Sequence, residues 1–184
     1  TSWSHDGRFI LFQTTDPNTK EDLWIIPTVG DRKPFSFLQT PFNEMWGQFS
    51  PDGRWIAYVS DESGIPEVYV QSFPQLAIKR KISITGGGYP KWRQDGKEIF
   101  FTAPGRKLWS VEVRSDASTF EPGVPKPLFE APTLGASPNF AGIDPNYDVS
   151  ADGQRFFMMF LTGSPYESSE PITVVLNWTS LLKK

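Results

Sequence analysis

Apolar and polar positions along the chain follow one short pattern that occurs four times. In each copy an aromatic or apolar residue precedes two linking positions, an Asp-Gly pair, a polar residue and an apolar run. The four copies are Trp3–Phe12, Phe49–Tyr58, Trp92–Phe101 and Val149–Met158. Because Asp-Gly between two apolar runs is a strong short-range hairpin signal, each copy predicts two antiparallel strands joined by a tight turn.

Further strands are predicted after each hairpin, where short β-branched and aromatic runs alternate with polar residues. The predicted third strands are Leu23–Ile26, Glu67–Phe73, Leu108–Val113 and Ile172–Trp178, and the predicted outer strands are Pro34–Leu38, Arg80–Ile84 and Lys126–Phe129. The glycines of the Asp-Gly pairs lie 46, 43 and 57 residues apart, a period typical of propeller blades. The sequence therefore predicts an all-β fold: a β-propeller or partial propeller of four blades, each of up to four antiparallel strands. The predicted blade repeats are about 1–42, 43–86, 87–132 and 145–184.

The second copy, Phe49–Ser60, resembles the core motif of the TolB-type β-propeller repeat, and Glu67–Val70 extends that resemblance to the third strand. The third copy departs from it at Arg93-Gln94, and the fourth carries an insertion at Leu161–Pro171. The resemblance implies a propeller that binds partners. Related propellers cap prolyl-oligopeptidase-like hydrolases, and others form extracytoplasmic parts of bacterial receptor-like Ser/Thr kinases. The stretch Pro171–Trp178 is similar to tails of that kinase-linked group, so the resemblance favours a periplasmic or cell-surface location.

Composition narrows the possible functions. The net charge is -3 without a basic stripe, which argues against nucleic acid as a partner. The chain has no cysteine, which excludes disulfides, thiolate metal sites and cysteine nucleophiles. It has no apolar run of about 18 residues, so we expect no direct membrane insertion.

Candidate catalytic residues are few, and each has a simpler explanation. His5, the only histidine, occupies the turn position held by Pro51, Gln94 and Ala151 in the other copies. Each repeat has one aspartate in its Asp-Gly pair. A residue that stabilises the turn is needed in every repeat, whereas a catalytic aspartate would be needed only once. No Gly-x-Ser-x-Gly elbow is present. We therefore predict that the chain is not an enzyme and has no catalytic residue.

Two further segments are candidate ligand sites. The oxygen-rich stretch Asp16–Asp22 lacks the spacing of a calcium loop, and we interpret it as a solvated connection between strands. Gly86–Gly88 precedes an inner strand rather than a helix, which favours a crossover between blades over a phosphate cradle. We predict no metal site and no cofactor.

Four polar-tipped residues lie where inner strands begin, close to the expected axial opening: Trp46, Tyr89, Asn146 and Tyr147. Tyrosine and tryptophan suit a binding rim because each joins an apolar body to a polar tip. Packing between blades would explain the same residues. We predict a ligand-binding rim here, to which the irregular segment Leu134–Asn146 would contribute.

The sequence thus favours a non-catalytic binding or sensing module with a protein or peptide ligand. The alternative is a gating propeller of a prolyl-oligopeptidase-like hydrolase whose catalytic domain lies elsewhere, and a purely structural half-ring is also open. The fourth copy lacks an outer strand, so we expect either tight closure of four blades or a homodimer that completes an eight-blade ring.

Overall fold

A computed structural model describes residues 2–116, 118–130, 147–158 and the backbone of 174–175. In these parts of the chain the fold is all-β, in four antiparallel sheets, and no helix occurs. The first sheet contains β1 (Ser2–Trp3), β2 (Phe9–Asp16), β3 (Lys20–Pro27) and β4 (Phe35–Leu38), in that order. The second contains β5 (Glu44–Phe49), β6 (Trp55–Ser60), β7 (Glu67–Ser72) and β8 (Lys79–Lys81).

The third and fourth sheets repeat this order. The third contains β9 (Gly88–Trp92), β10 (Glu98–Ala103), β11 (Lys107–Ser115) and β13 (Lys126–Glu130), and β12 (Phe120–Pro122) pairs with the far end of β11. The fourth contains β14 (Tyr147–Val149), β15 (Phe156–Met158) and β16 (Val174–Val175). Each sheet is one blade, with its inner strand first in the chain, which confirms the predicted fold class.

Each Asp-Gly pair closes a hairpin, and the second copy shows how. The carbonyl of Ser50 accepts a hydrogen bond from the N–H of Gly53 at 2.9 Å, and Gly53 adopts a φ of 70°. A positive φ costs glycine little because it has no Cβ. One carboxylate oxygen of Asp52 accepts from the Ser50 hydroxyl at 2.6 Å and from the N–H of Arg54 at 3.0 Å. Asp and Gly are thus the third and fourth residues of the turn, which is wider than a two-residue hairpin loop.

The third copy builds the same turn with different chemistry. Arg93 replaces the serine, and its guanidinium donates to both carboxylate oxygens of Asp95, at 2.7 and 2.9 Å, and to Glu98 at 2.7 Å. His5 lies at the exposed second position of the first turn, where the sequence predicts it.

Several predicted boundaries differ from the structure. The outer strand of the second blade is Lys79–Lys81 rather than Arg80–Ile84, because the N–H groups of Ile82 and Ser83 both point to the carbonyl of Val68 and end the ladder. The three-residue strand β12 was not predicted from the sequence. Its Phe120 is buried against Trp55, with ring centroids 4.9 Å apart. The segments 131–146 and 161–171, and most of the predicted third strand of the fourth copy, lie outside the described residues.

The core consists of three layers between successive blades. At each junction the facing sides of two successive sheets pack together. Leu11, Leu23, Ile25 and Phe37 of the first blade meet Phe49, Ile56, Tyr58 and Tyr69 of the second. Ala57, Val59, Val68 and Val70 of the second meet Ile99, Phe101 and Val111 of the third. Phe100, Leu108 and Leu128 of the third meet Tyr147, Phe156 and Met158 of the fourth. Each fully buried large apolar side chain stabilises the fold by about 1.5–3 kcal/mol relative to exposure.

The glycine run follows β8 and leads into β9, of which Gly88 is the first residue, and it forms the crossover that the sequence predicts. Gly86 has a φ of 102° and donates its N–H to the buried carboxylate of Glu67 at 3.0 Å. A Cβ at Gly87 would lie 2.8 Å from the Cβ of Ser83. These glycines serve close packing of the crossover.

Candidate functional site

The predicted rim residues Trp46 and Tyr89 occupy one position of the repeat, three residues before the last residue of the inner strand. Both have positive φ values, 54° and 51°, and both strands are irregular there, with register shifts. Their rings stack with centroids 3.8 Å apart and an interplanar angle of 22°. Left-handed backbone is unusual for large side chains, and such strain tends to cluster at functional sites. The structure thus brings these two residues together, each partly buried.

The other two rim residues differ. Tyr147 is buried, and its hydroxyl donates to the carbonyl of Tyr89 at 2.7 Å. Burial, with a smaller contribution from Asp148, raises the pKa of Tyr147 well above its ordinary value, so the phenol keeps the proton that it donates. Tyr147 supports Tyr89 from the interior and offers almost no surface to a ligand. Asn146 lies outside the described residues.

A polar side chain of the first blade also reaches this end of the structure. The side-chain oxygen of Gln13 accepts a hydrogen bond from the N–H of Trp46 at 3.2 Å, and its amide nitrogen donates to Glu21 at 2.7 Å. The rim therefore joins the first three blades through side chains and backbone.

The opposite ends of the inner strands surround a cavity of about 420 Å³, which we call the axial cavity. All of its lining residues come from four equivalent positions of the repeat. They are Ser2, Gln48, Lys91 and Asp148; Trp3, Phe49, Trp92 and Val149; Ser50 and Ser150; and the turn residues His5, Pro51, Gln94 and Ala151. Because every blade contributes, the cavity lies where the four blades converge.

Two of these positions change in chemistry from blade to blade: the turn position and the position before the last residue of each inner strand. The residue before the last residue of each inner strand is Ser2, Gln48, Lys91 or Asp148, so it is polar in every blade but different each time. The ammonium group of Lys91 lies 3.8 Å from the carboxylate of Asp148, an ion pair that links the third and fourth blades. Sequence reasoning missed this position. An alignment of the four repeats would have identified this position, because its residue is polar in every copy although the residue type changes.

Tryptophan side chains form part of the wall. The indole N–H of Trp92 donates to the carbonyl of Gln48 at 3.2 Å, so its ring has a fixed position beside the cavity. Trp3 is 65% exposed, and the neighbouring Ser2 hydroxyl accepts from the N–H of Phe49 at 3.1 Å. The cavity therefore presents aromatic surface next to amide, ammonium and carboxylate groups.

The turn aspartates have local roles. Hydrogen bonds from Ser4 and from the N–H of Arg8 lower the pKa of Asp6, and those from Ser150 and the N–H of Gln154 lower the pKa of Asp152. These carboxylates are thus satisfied within their own turns, as the repetition predicts. Among the residues that the structure describes, no group of three or more His, Cys, Asp or Glu side chains is arranged to hold a metal ion. In the same residues no helix is long and apolar enough to cross a bilayer.

A second cleft, of about 550 Å³, separates the second and third blades at the turn end. Its walls carry Arg54, Lys97 and Arg114 beside Asp52 and Asp95. The Arg54–Asp52 ion pair at 2.7 Å lies in this wall, and Asp95 is paired with Arg93. Residues of only two blades line this cleft, whereas residues of all four blades line the axial cavity.

Comparison with known proteins identifies the fold. No protein-family model matches the chain, and no curated protein matches it in sequence. Among solved structures, TolB from Acinetobacter baumannii matches with a TM-score of 0.60 at 18% identity, over 85% of this chain and 36% of that one. A putative TolB from Agrobacterium tumefaciens matches with a TM-score of 0.52 at 16% identity, over 66% and 47%. The β-propeller domain of the Trilobed protease from Pyrococcus furiosus matches with a TM-score of 0.50 at 15% identity, over 91% and 49%.

These similarities define a class of fold: the chain is built as a β-propeller. Two of the matched structures are TolB propellers, so the fold agrees with the resemblance in the sequence. The chain spans between about a third and a half of the length of these structures.

Proposed function

We propose that the chain is a non-catalytic binding module that holds a peptide segment in the axial cavity. The observation that carries the proposal is the lining of this cavity, which uses four equivalent positions of the repeat and varies the polar residue from blade to blade. A binding site that all blades share does not require a catalytic residue present in one blade only. Its specificity comes from the lining residues that differ among the blades.

The chemistry of the wall suits a polypeptide. The amide side chains of Gln48 and Gln94 can both donate and accept hydrogen bonds, as backbone N–H and C=O groups require. Lys91 and Asp148 offer opposite charges, and Trp92 offers a flat apolar surface. Small numbers of well-placed polar groups beside aromatic side chains are the common composition of binding sites.

The test is a binding measurement on the whole chain with a library of short synthetic peptides of random sequence, followed by ligand-observed NMR. We expect a subset of peptides to bind, and Lys91→Ala and Gln48→Ala to weaken that binding at least tenfold. Lys126→Ala is the matched control, because Lys126 is an exposed lysine of the outer strand β13 that pairs with Glu112 at 3.4 Å. If no peptide binds at millimolar concentration, or if the control weakens binding as much as Lys91→Ala, the proposal is wrong. A gating propeller, which passes peptides without retaining them, would give the first of these results.

A further inference from the structure

Among the residues that the structure describes, the two end blades leave partly exposed the faces that are buried at every internal junction. In each blade the residues three and five positions after the turn glycine face the preceding blade. In the second and third blades these are Ile56, Tyr58, Ile99 and Phe101, all at most 1% exposed. In the first blade they are Ile10 and Phe12, and both remain partly exposed.

The first-blade face continues along the sheet. Ile10 pairs with Trp3 on one side and with Ile26 on the other, and Phe12 pairs with Trp24. Residues that pair directly across antiparallel strands share a face, so these five side chains form one apolar surface, which we call the leading face. Trp3, at 65% exposed, occupies the position at which Phe49 of the second blade is buried.

In the fourth blade the opposite face, which in the other blades packs on the following blade, is exposed at Phe157. The residue four positions after the turn glycine faces the following blade: Leu11, Ala57 and Phe100 are 1%, 0% and 0% exposed. The equivalent residue of the fourth blade, Phe157, is 41% exposed. We call this side of the fourth blade, which Phe157 marks, the trailing face.

We propose that two copies of this chain associate, with the trailing face of each packed on the leading face of the other. The three internal junctions show what covers a leading face, namely the trailing face of a blade of the same repeat. A second copy offers that face, and reciprocal packing satisfies both ends of both chains in a closed two-fold dimer.

The experiment is sedimentation velocity and light scattering on the whole chain from nanomolar to high micromolar concentration. We expect a concentration-dependent species of twice the chain mass of 20.8 kDa. Ile10→Lys on the leading face and Phe157→Glu on the trailing face should each raise the dissociation constant at least tenfold, because each places a charge in both junctions. Val124→Lys is the matched control, since Val124 is an apolar residue 74% exposed on the third blade, outside both faces.

Mixing the two variants separates loss of binding from loss of folding. In a mixed dimer one junction contains both introduced charges, which are opposite in sign, and the other junction is that of the parent chain. The 1:1 mixture should therefore form dimers that neither variant forms alone. A monomer at every concentration would overturn the proposal, as would open oligomers that keep growing with concentration. It would also be overturned if the control dissociates as readily as the two variants, or if the mixture stays monomeric while both variants keep the β-sheet circular dichroism of the parent chain.

Discussion

The hydroxyl group of Tyr147 in the fourth blade donates a hydrogen bond to the main-chain carbonyl of Tyr89 in the third, at 2.7 Å. This bond joins two blades beside the residue whose ring stacks on Trp46. It therefore couples packing of the fourth blade to the position of the rim.

Removing this hydroxyl should destabilise the protein. Tyr147→Phe keeps the ring and leaves the carbonyl of Tyr89 without this partner, so we expect a loss of about 1–2 kcal/mol in the free energy of unfolding. Urea denaturation monitored by tryptophan fluorescence measures the change.

Tyr58 provides the matched control, because it is also a buried tyrosine but its hydroxyl has no hydrogen-bond partner among the described residues. Tyr58→Phe removes an unsatisfied polar atom, so we expect it to be neutral or stabilising by up to about 1 kcal/mol. Equal losses in the two variants would show that the Tyr147–Tyr89 bond contributes nothing specific.

A second prediction concerns the turn glycine of the second blade. A Cβ at Gly53 would meet no atom within 4 Å, so any cost of Gly53→Ala arises from its φ of 70° and not from a clash. We expect a loss of about 1–2 kcal/mol in the free energy of unfolding. Gly53→Asn should lose less, because asparagine tolerates left-handed backbone better than alanine does. Chemical denaturation compares the two variants, and an equal or larger loss for asparagine would contradict this explanation.

The sequence predicted the elements that depend on local chemistry. The four Asp-Gly turns, their flanking strands and the role of His5 follow from residue types within about ten positions, and the structure has them as expected. Prediction from the sequence was less accurate for elements whose position depends on tertiary contacts. Strand β12 has only three residues, and it is fixed by the burial of Phe120 between Trp55 and Trp92 rather than by its own pattern.

The candidate site shows the same division. The sequence placed Trp46 and Tyr89 with Asn146 and Tyr147 at the start of inner strands, and the structure stacks the rings of the first two. Tyr147 follows in sequence the position equivalent to theirs, but the pleat of its strand turns it into the core. The sequence analysis did not identify the axial cavity because its polar residues differ among the blades. A comparison of the repeats that looks for identical residues does not detect such positions.

The buried carboxylate of Glu44 gives a prediction about pH. Burial raises the pKa of Glu44 above its ordinary value of 4.5, and the nearby Asp22 carboxylate also raises it, although hydrogen bonds from Thr40 oppose the shift. The folded state therefore holds this proton to a higher pH than the unfolded state. Ionisation of Glu44 removes stability as the pH rises through its folded pKa, and the stabilising effect of the proton is complete only below the unfolded value.

Glu44→Gln removes this contribution, so the free energy of unfolding of the variant relative to that of the parent chain should rise as the pH rises from 4 to 7. The measurement is urea denaturation at several pH values. Glu121→Gln on β12 serves as the control, since Glu121 is an exposed glutamate, and it should leave the pH dependence as it is in the parent chain. A fall in the relative stability of the Glu44 variant over this pH range would mean that the folded state favours the ionised carboxylate.

The last prediction tests the junction between the first two blades. A Cβ at Gly47 would lie 2.5 Å from Cδ2 of Leu11 and 3.2 Å from Cδ1 of Leu23, both of which are buried. Gly47→Ala should therefore cost about 1–3 kcal/mol through overpacking. Leu11→Ala should cost about 2–5 kcal/mol, because it leaves a cavity at the same place.

The two changes should compensate each other. In the double variant the added methyl group occupies part of the space that Leu11 leaves, so the combined loss should be smaller than the sum of the single losses by about 0.5–3 kcal/mol. The four free energies of unfolding form a double-mutant cycle that measures this coupling. Gly7→Ala with Leu11→Ala is the control cycle, because a Cβ at Gly7 meets no atom within 4 Å and should couple weakly to Leu11. Additive losses in the Gly47 cycle would show that the blades do not approach each other at this glycine as closely as the structure has them.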